Sequence, residues 1–203
     1  MKTASLVIAA VMLSSVPAFA QQAGPTTNLA TVEGGDFVMD PAHTRLIFSY
    51  SHFGFSTSYG LFSEAGGKLH FDPKAPANGT LDVSVNLNGI DTTVPKLDEH
   101  LKSAAFFDVA KYPTATFKST KVVVTGPNTG TITGALTLHG VTRPVVLDAT
   151  FNGAGVNPVT KAYVLGFNAV GHVKRSDFGM AAYVPAVGDD VTLTISTEFD
   201  RKQ

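Results

Sequence analysis

The sequence predicts an all-β fold: an eight-stranded antiparallel barrel with one short flanking helix. Three observations predict it. From Phe37 onward, apolar residues recur at every second position, the period of a strand with one buried and one wet face. Short clusters of Gly, Pro and Asn separate the runs and supply turn chemistry. A single segment, between Pro95 and Phe106, has apolar residues at helical spacing instead.

Taken in order, the first element is an address. Lys2 is followed by the apolar run Leu6 to Leu13, and Ala18-Phe19-Ala20 forms an A-x-A site. The expectation is a secretory signal peptide, residues 1–20, cleaved after Ala20. A spanning helix needs about 20 apolar residues, and this run is shorter. Residues 21–36, rich in Gly, Thr, Asn and Gln, read as a disordered lead-in. The folded domain is expected over 37–203.

The strands follow. Leu46, Phe48, Tyr50 and His52 share one parity. Leu81, Val83, Val85 and Leu87 alternate with Asp82, Ser84, Asn86 and Asn88. The pattern returns in Ile132, Leu136 and Leu138; in Val145, Leu147 and Phe151; in Tyr163, Leu165, Phe167, Ala169 and Val173; and in Val191, Leu193, Ile195 and Phe199. Asp72-Pro73 ends one strand and Asn78-Gly79 opens the next. Gly126-Pro127-Asn128 and His139-Gly140 join later strands as hairpins. Leu97, Leu101 and Ala105 predict a helix of about ten residues that flanks the sheet.

Eight such strands must close on themselves or stack as two sheets. Closure removes every edge and gives all apolar faces one interior. A β-sandwich is the alternative. An outer-membrane barrel fits less well: with no Trp and five Tyr, the aromatic girdles are missing. A barrel of eight strands is filled by its own side chains or holds one small ligand.

Composition removes other classes. The formal net charge is −1, and loss of Lys2 with the leader leaves 14 basic against 16 acidic residues. No basic field exists to hold a phosphate backbone, which argues against nucleic-acid binding. The absence of Cys excludes disulfides, thiol nucleophiles and Cys-held metals. The six His have no short ligand spacing and no G-x-S-x-G is present, so neither a metal site nor a catalytic residue is predicted.

Several motifs occur in an ordered set. They are Asp40-Pro41-Ala42-His43-Thr44, Gly60-Leu61-Phe62, Phe71-Asp72, His100-Leu101-Lys102-Ser103, Phe106-Phe107-Asp108, Lys111-Tyr112-Pro113, the run Gly134 to Thr142, Arg175-Ser176-Asp177-Phe178-Gly179-Met180 and Val187-Gly188-Asp189. In this order the chain resembles the YceI-like family of exported, lipocalin-like polyisoprenoid-binding proteins, over about Phe37 to Phe199. The resemblance implies a lipocalin-like barrel with a helix packed nearby and an apolar lumen holding an isoprenoid or similar amphiphile.

The expected function is therefore periplasmic binding of an isoprenoid, quinone or similar long-chain amphiphile, for carriage, storage or scavenging. No cofactor is expected beyond that bound lipid, and a homodimer is left open. The expected lumenal set is Leu46, Phe48, Tyr50, His52, Phe62, Leu81, Val83, Val85, Phe117, Leu136, Leu138, Phe167, Arg175 and Phe178. His52 reads either as a ligand for a head group or as a buried, backbone-satisfied histidine. Arg175 reads either as a partner for an anionic head group or as one half of a structural clamp with Asp177. Two other functions compete. One is a hydrolase or isomerase using His52 and Asp177. The other is a barrel packed shut that works through its surface.

Overall fold

Ten hydrogen-bonded segments form eight strand lines. The structure, a computed structural model, describes residues 24–202, so the expected leader lies outside the described residues. The segments are β1 (Gly35–His52), β2 (Ser56–Phe62), β3 (Ala65–Phe71), β4 (Thr80–Asn86), β5 (Ile90–Asp91), β6 (Thr114–Val124), β7 (Thr129–Leu138), β8 (Val141–Val156), β9 (Tyr163–Lys174) and β10 (Val187–Arg201). β2 and β3 pair successively with β1, and β5 and β4 pair with them in turn. Each couple is thus one line with a short interruption, at Ser63-Glu64 and at the 3-10 turn Leu87–Gly89. Every ladder is antiparallel, and β10 pairs with β1 to close the ring. The eight-stranded barrel stands, and the sandwich does not.

The alternation seen in the sequence is the wall of this barrel. Turn chemistry fixes where it reverses. His139 and Gly140 both have positive φ, 52° and 75°. A two-residue turn with this twist matches the flanking strands and sets the Leu138–Val141 pair.

Parity changes once inside β1. Phe37 and Met39 are buried at odd positions, but Thr44 and Phe48 at even ones. The register moves from Asp40 opposite Glu198 to Arg45 opposite Ser196, so a large bulge takes up the extra residues. Pro41 cannot donate to a ladder and suits that position. Asp40 accepts from the Ala42 N–H at 2.8 Å, and its other oxygen pairs with His43 Nδ1 at 2.6 Å. Buried Thr44 donates to the Asp40 carbonyl at 2.7 Å and meets Thr197 Oγ1 at 2.8 Å.

One end of the barrel is shut. Phe37, Met39, Phe71, Phe151, Leu165 and Phe199 form a buried cluster there. The rings of Phe71, Phe151 and Phe167 lie 5.3–6.0 Å apart between centroids. The expected disordered lead-in is corrected over its described part. Thr26 bridges to Ala154, residues 29–31 make a 3-10 turn, and Val32 is buried in the same cluster. The polar composition of 21–36 hid the two apolar residues, Leu29 and Val32, that anchor it.

The other end is open. There, β5 and β6 share no ladder among the described residues. Helix α1 (Pro95–Lys102) and residues 103–113 cover the gap, with Leu101 and Phe106 packed against Phe48 and Ile90. Pro95 opens the helix at a position where its missing N–H costs nothing. Ser103 ends it in extended conformation, with its Oγ donating to the His100 carbonyl at 2.6 Å. The helix is eight residues long, and Ala105 falls outside it.

Candidate functional site

The interior is hollow. A cavity of about 550 Å³ opens at the α1 end and runs inward between Phe48, Phe62, Val85, Leu136, Leu193 and Ile195. A deeper chamber of about 140 Å³ continues it, sharing Leu46, Val85, Ala115, Leu136, Leu193 and Ile195 with the first. The main cavity falls within the roughly 300–1,000 Å³ of small-molecule sites. Its inner part is aliphatic and aromatic, and polar side chains gather at the mouth: Tyr50, His52, Ser58, His100, Arg175 and Tyr183.

The inward side chains show that the space is real. Leu46, Tyr50, Phe62, Leu136 and Leu138 point inward yet are only half-buried, because they border the cavity rather than one another. Glycines help to keep it open. Phe48 lies across Gly60, Phe117 across Gly134, and Leu147 across Gly171, each occupying the space that a Cβ would need. A large side chain laid flat on a glycine covers the wall without filling the lumen.

Most expected lumenal residues are where the parity put them. Leu46, Phe48, Tyr50, Phe62, Val85, Leu136 and Leu138 line the main cavity. Leu81, Val83, Phe117 and Phe167 line the deeper chamber, with Phe167 also in the floor. Phe178 is corrected. It is 1% exposed and packs with Phe117, Val145, Leu147 and Met180 in the barrel interior, where it borders neither chamber. Its carbonyl meets His139 Nδ1 at 2.9 Å. The 3-10 turn Arg175–Phe178 carries it there, off the regular strand.

His52 reaches the cavity mouth as expected, but the buried, backbone-satisfied reading of it is corrected. It sits exposed on the rim, edge-on to Phe53 at 4.5 Å between centroids, and is not a buried histidine. Arg175 is buried as expected but does not pair with Asp177. Its Nε donates to the Gly188 carbonyl at 2.9 Å. Nη1 donates to those of Met180 and Ala182 at 2.6 and 2.8 Å, and Nη2 to that of Val187 at 2.8 Å. The guanidinium thereby ties the 180–188 loop into one side of the mouth. Burial draws its pKa below the ordinary arginine value, with the Asp189 charge opposing. Asp189 instead accepts from the Ser176 N–H at 2.9 Å and from its Oγ at 2.7 Å. Burial alone would raise its pKa, but the bonds from Ser176 prevail and lower it.

Sequence reasoning missed the helical side of the site. Leu97, Leu101, Phe106 and Phe107 border the cavity. The Phe106-Phe107 pair was a visible signal, but no periodicity linked it to the strands. It also missed a cluster at the β1 bulge, where Asp40, His43 and Glu198 bring ligand-type atoms within 4.8 Å of one another. There His43 and Asp40 are bonded to each other, which accounts for the arrangement as a brace.

The model of the YceI-like domain matches residues 37–199. This chain belongs to the YceI-like family. A UPF0312 protein of Pectobacterium atrosepticum is 40% identical over 167 residues, covering 82% of this chain and 86% of the relative. A UPF0312 protein of Azotobacter vinelandii is 39% identical over 165 residues, covering 80% and 85%. Among solved structures, a Campylobacter jejuni YceI protein superposes with a TM-score of 0.68 at 30% identity, over 75% of this chain and 90% of that one. A polyisoprenoid-binding domain from Saccharophagus degradans superposes with a TM-score of 0.60 at 13% identity, over 84% and 100%. At that identity it shares the fold. The lipocalin-like barrel implied by the motifs is therefore the YceI-like barrel.

Proposed function

We propose that this YceI-like protein holds an isoprenoid, quinone or similar long-chain amphiphile in its lumen, as a periplasmic carrier, store or scavenger. One observation carries the reading: inward-facing apolar side chains border an open cavity of about 550 Å³ instead of packing against each other. A barrel working only through its surface has no use for that volume. Dispersed apolar contacts grip a tail without demanding a shape, at about 0.8 kcal/mol per buried CH₂. The structural neighbour described as polyisoprenoid-binding supports the ligand class. The leader expected over residues 1–20 supports export to the periplasm.

The mouth favours a neutral head group. Arg175 already serves four carbonyls, and the remaining polar lining is Tyr, Ser and His. Such groups can donate to a quinone carbonyl or a hydroxyl. A binding protein fits this lining better than an enzyme, because His52 stands on the exposed rim rather than within a catalytic arrangement.

The test is mass spectrometry of an organic extract from protein purified without detergent from its native compartment. A stoichiometric isoprenoid or quinone is expected. A clean extract together with no retention of added quinone by the folded protein would overturn the reading.

A further inference from the structure

One side of the mouth is uncharged, whereas α1 on the same mouth carries Lys96, Asp98, Glu99 and Lys102. Residues 46–63, which carry the β1–β2 hairpin, contain no Asp, Glu, Lys or Arg, and neither do residues 178–188. The two stretches meet. The Phe53 N–H donates to the Ala186 carbonyl at 2.9 Å, and His52 pairs with Val187. On this uncharged rim Phe55 is 91% exposed, Tyr183 60% and Phe53 51%. Val94, also exposed, stands just ahead of α1, whose His100 ring lies 6.2 Å from that of Tyr183. Phe53 and Tyr183 belong at once to this rim and to the cavity lining.

An aromatic side chain fully exposed on a hairpin tip stabilises nothing in the folded chain. It does suit an interface between water and hydrocarbon, where aromatic residues settle and where charged groups are costly. The absence of formal charge from these two stretches matches a lipid surface better than a protein one, since rims of protein interfaces are polar. The position matches too, because Phe53 of the hairpin and Tyr183 line the mouth of the main cavity.

We propose that the mouth docks on a lipid bilayer by inserting Phe55 and its neighbours. The tail of the ligand then passes between bilayer and lumen without crossing water. The inference rests on the lumen-binding reading for its purpose, but insertion is measured separately from binding.

The chain lacks Trp, so Phe55→Trp creates a single reporter at the rim. Val159→Trp, at an 85% exposed position on the β8–β9 turn of the shut end, is its control. On phosphatidylcholine vesicles, Phe55→Trp emission is expected to shift to shorter wavelength and to be quenched by lipids brominated on their acyl chains, while Val159→Trp is unchanged. Phe55→Ser is expected to weaken vesicle partitioning about tenfold or more, equivalent to about 1.4 kcal/mol. It is also expected to slow quinone transfer from the vesicles, with equilibrium quinone binding in vesicle-free solution unaltered. Unchanged Phe55→Trp emission at saturating vesicles, or equal shifts for both reporters, would overturn docking and leave the rim as a surface for a protein. Insertion without any quinone binding would overturn the lumen reading while docking stands.

Discussion

Phe48 lies across Gly60 on the neighbouring strand, its ring filling the space a side chain would take. The ring therefore lines the cavity wall rather than crossing it. Gly60→Leu is expected to push Phe48 into the lumen and lower affinity for a long-chain quinone, measured by fluorescence competition, more than it lowers affinity for a short-chain analogue. Equal losses for both would mean that the pair does not shape the lumen.

Tail length should dominate affinity. At about 0.8 kcal/mol per buried CH₂, removing one methylene weakens binding by up to about fourfold. A quinone series of increasing tail length, titrated by fluorescence competition, is expected to show steep gains until the lumen is filled, then a plateau. Equal affinity along the series would contradict lumenal binding of the tail.

Arg175→Ala should act on the whole mouth. Four carbonyls lose a charged donor, and hydrogen bonds to charged groups contribute about 1.5–3 kcal/mol each before the loop relaxes. A net loss of about 2–4 kcal/mol in urea unfolding is expected, and Arg175→Lys restores little because an ammonium cannot reproduce the fork. Binding of neutral and anionic amphiphiles should fall together. Selective loss of the anionic ligand would instead assign Arg175 to the head group.

The shut end is a stability element. Leu165 is 0% exposed within the floor cluster. Leu165→Ala is expected to cost about 2–5 kcal/mol in chemical unfolding, with quinone affinity of the folded fraction largely kept. A cost below about 1 kcal/mol would mean that the floor collapses around the gap.

The β1 bulge should make stability weakly dependent on pH. The hydrogen bond from His43 lowers the Asp40 pKa, and the same bond to Asp40 raises that of His43. A lowered carboxylate stabilises above its unfolded pKa and loses this as pH falls through the folded one. A raised histidine stabilises below its unfolded pKa and loses this as pH rises through the folded one. The pair is therefore strongest between about pH 4 and 6.5. Melting temperature from pH 5.5 to pH 8 is expected to fall slightly more for the wild type than for His43→Gln. Identical profiles would remove the pair from the stability balance.

Much of this protein was legible in residue order alone. A period of two with Gly, Pro and Asn breaks leaves few solutions for eight half-buried strands, and barrel closure satisfies all of their edges. The same alternation placed Leu46, Phe48, Phe62, Leu136 and Leu138 on the cavity, because side-chain direction in a regular strand follows position. It failed where the backbone leaves the regular strand. The bulge at Asp40 to Arg45 resets parity in β1, and the 3-10 turn at Arg175–Phe178 packs Phe178 against other interior side chains instead of on the cavity. Only the tertiary structure decided which partner each polar group found. Arg175 met carbonyls ahead of it in its own loop instead of Asp177, since burial rewards the donor set that saturates a guanidinium most fully. Only the structure showed that the barrel is hollow as well. The count of inward apolar residues is the same in a filled barrel, and the difference lies in large rings resting on glycines across the wall.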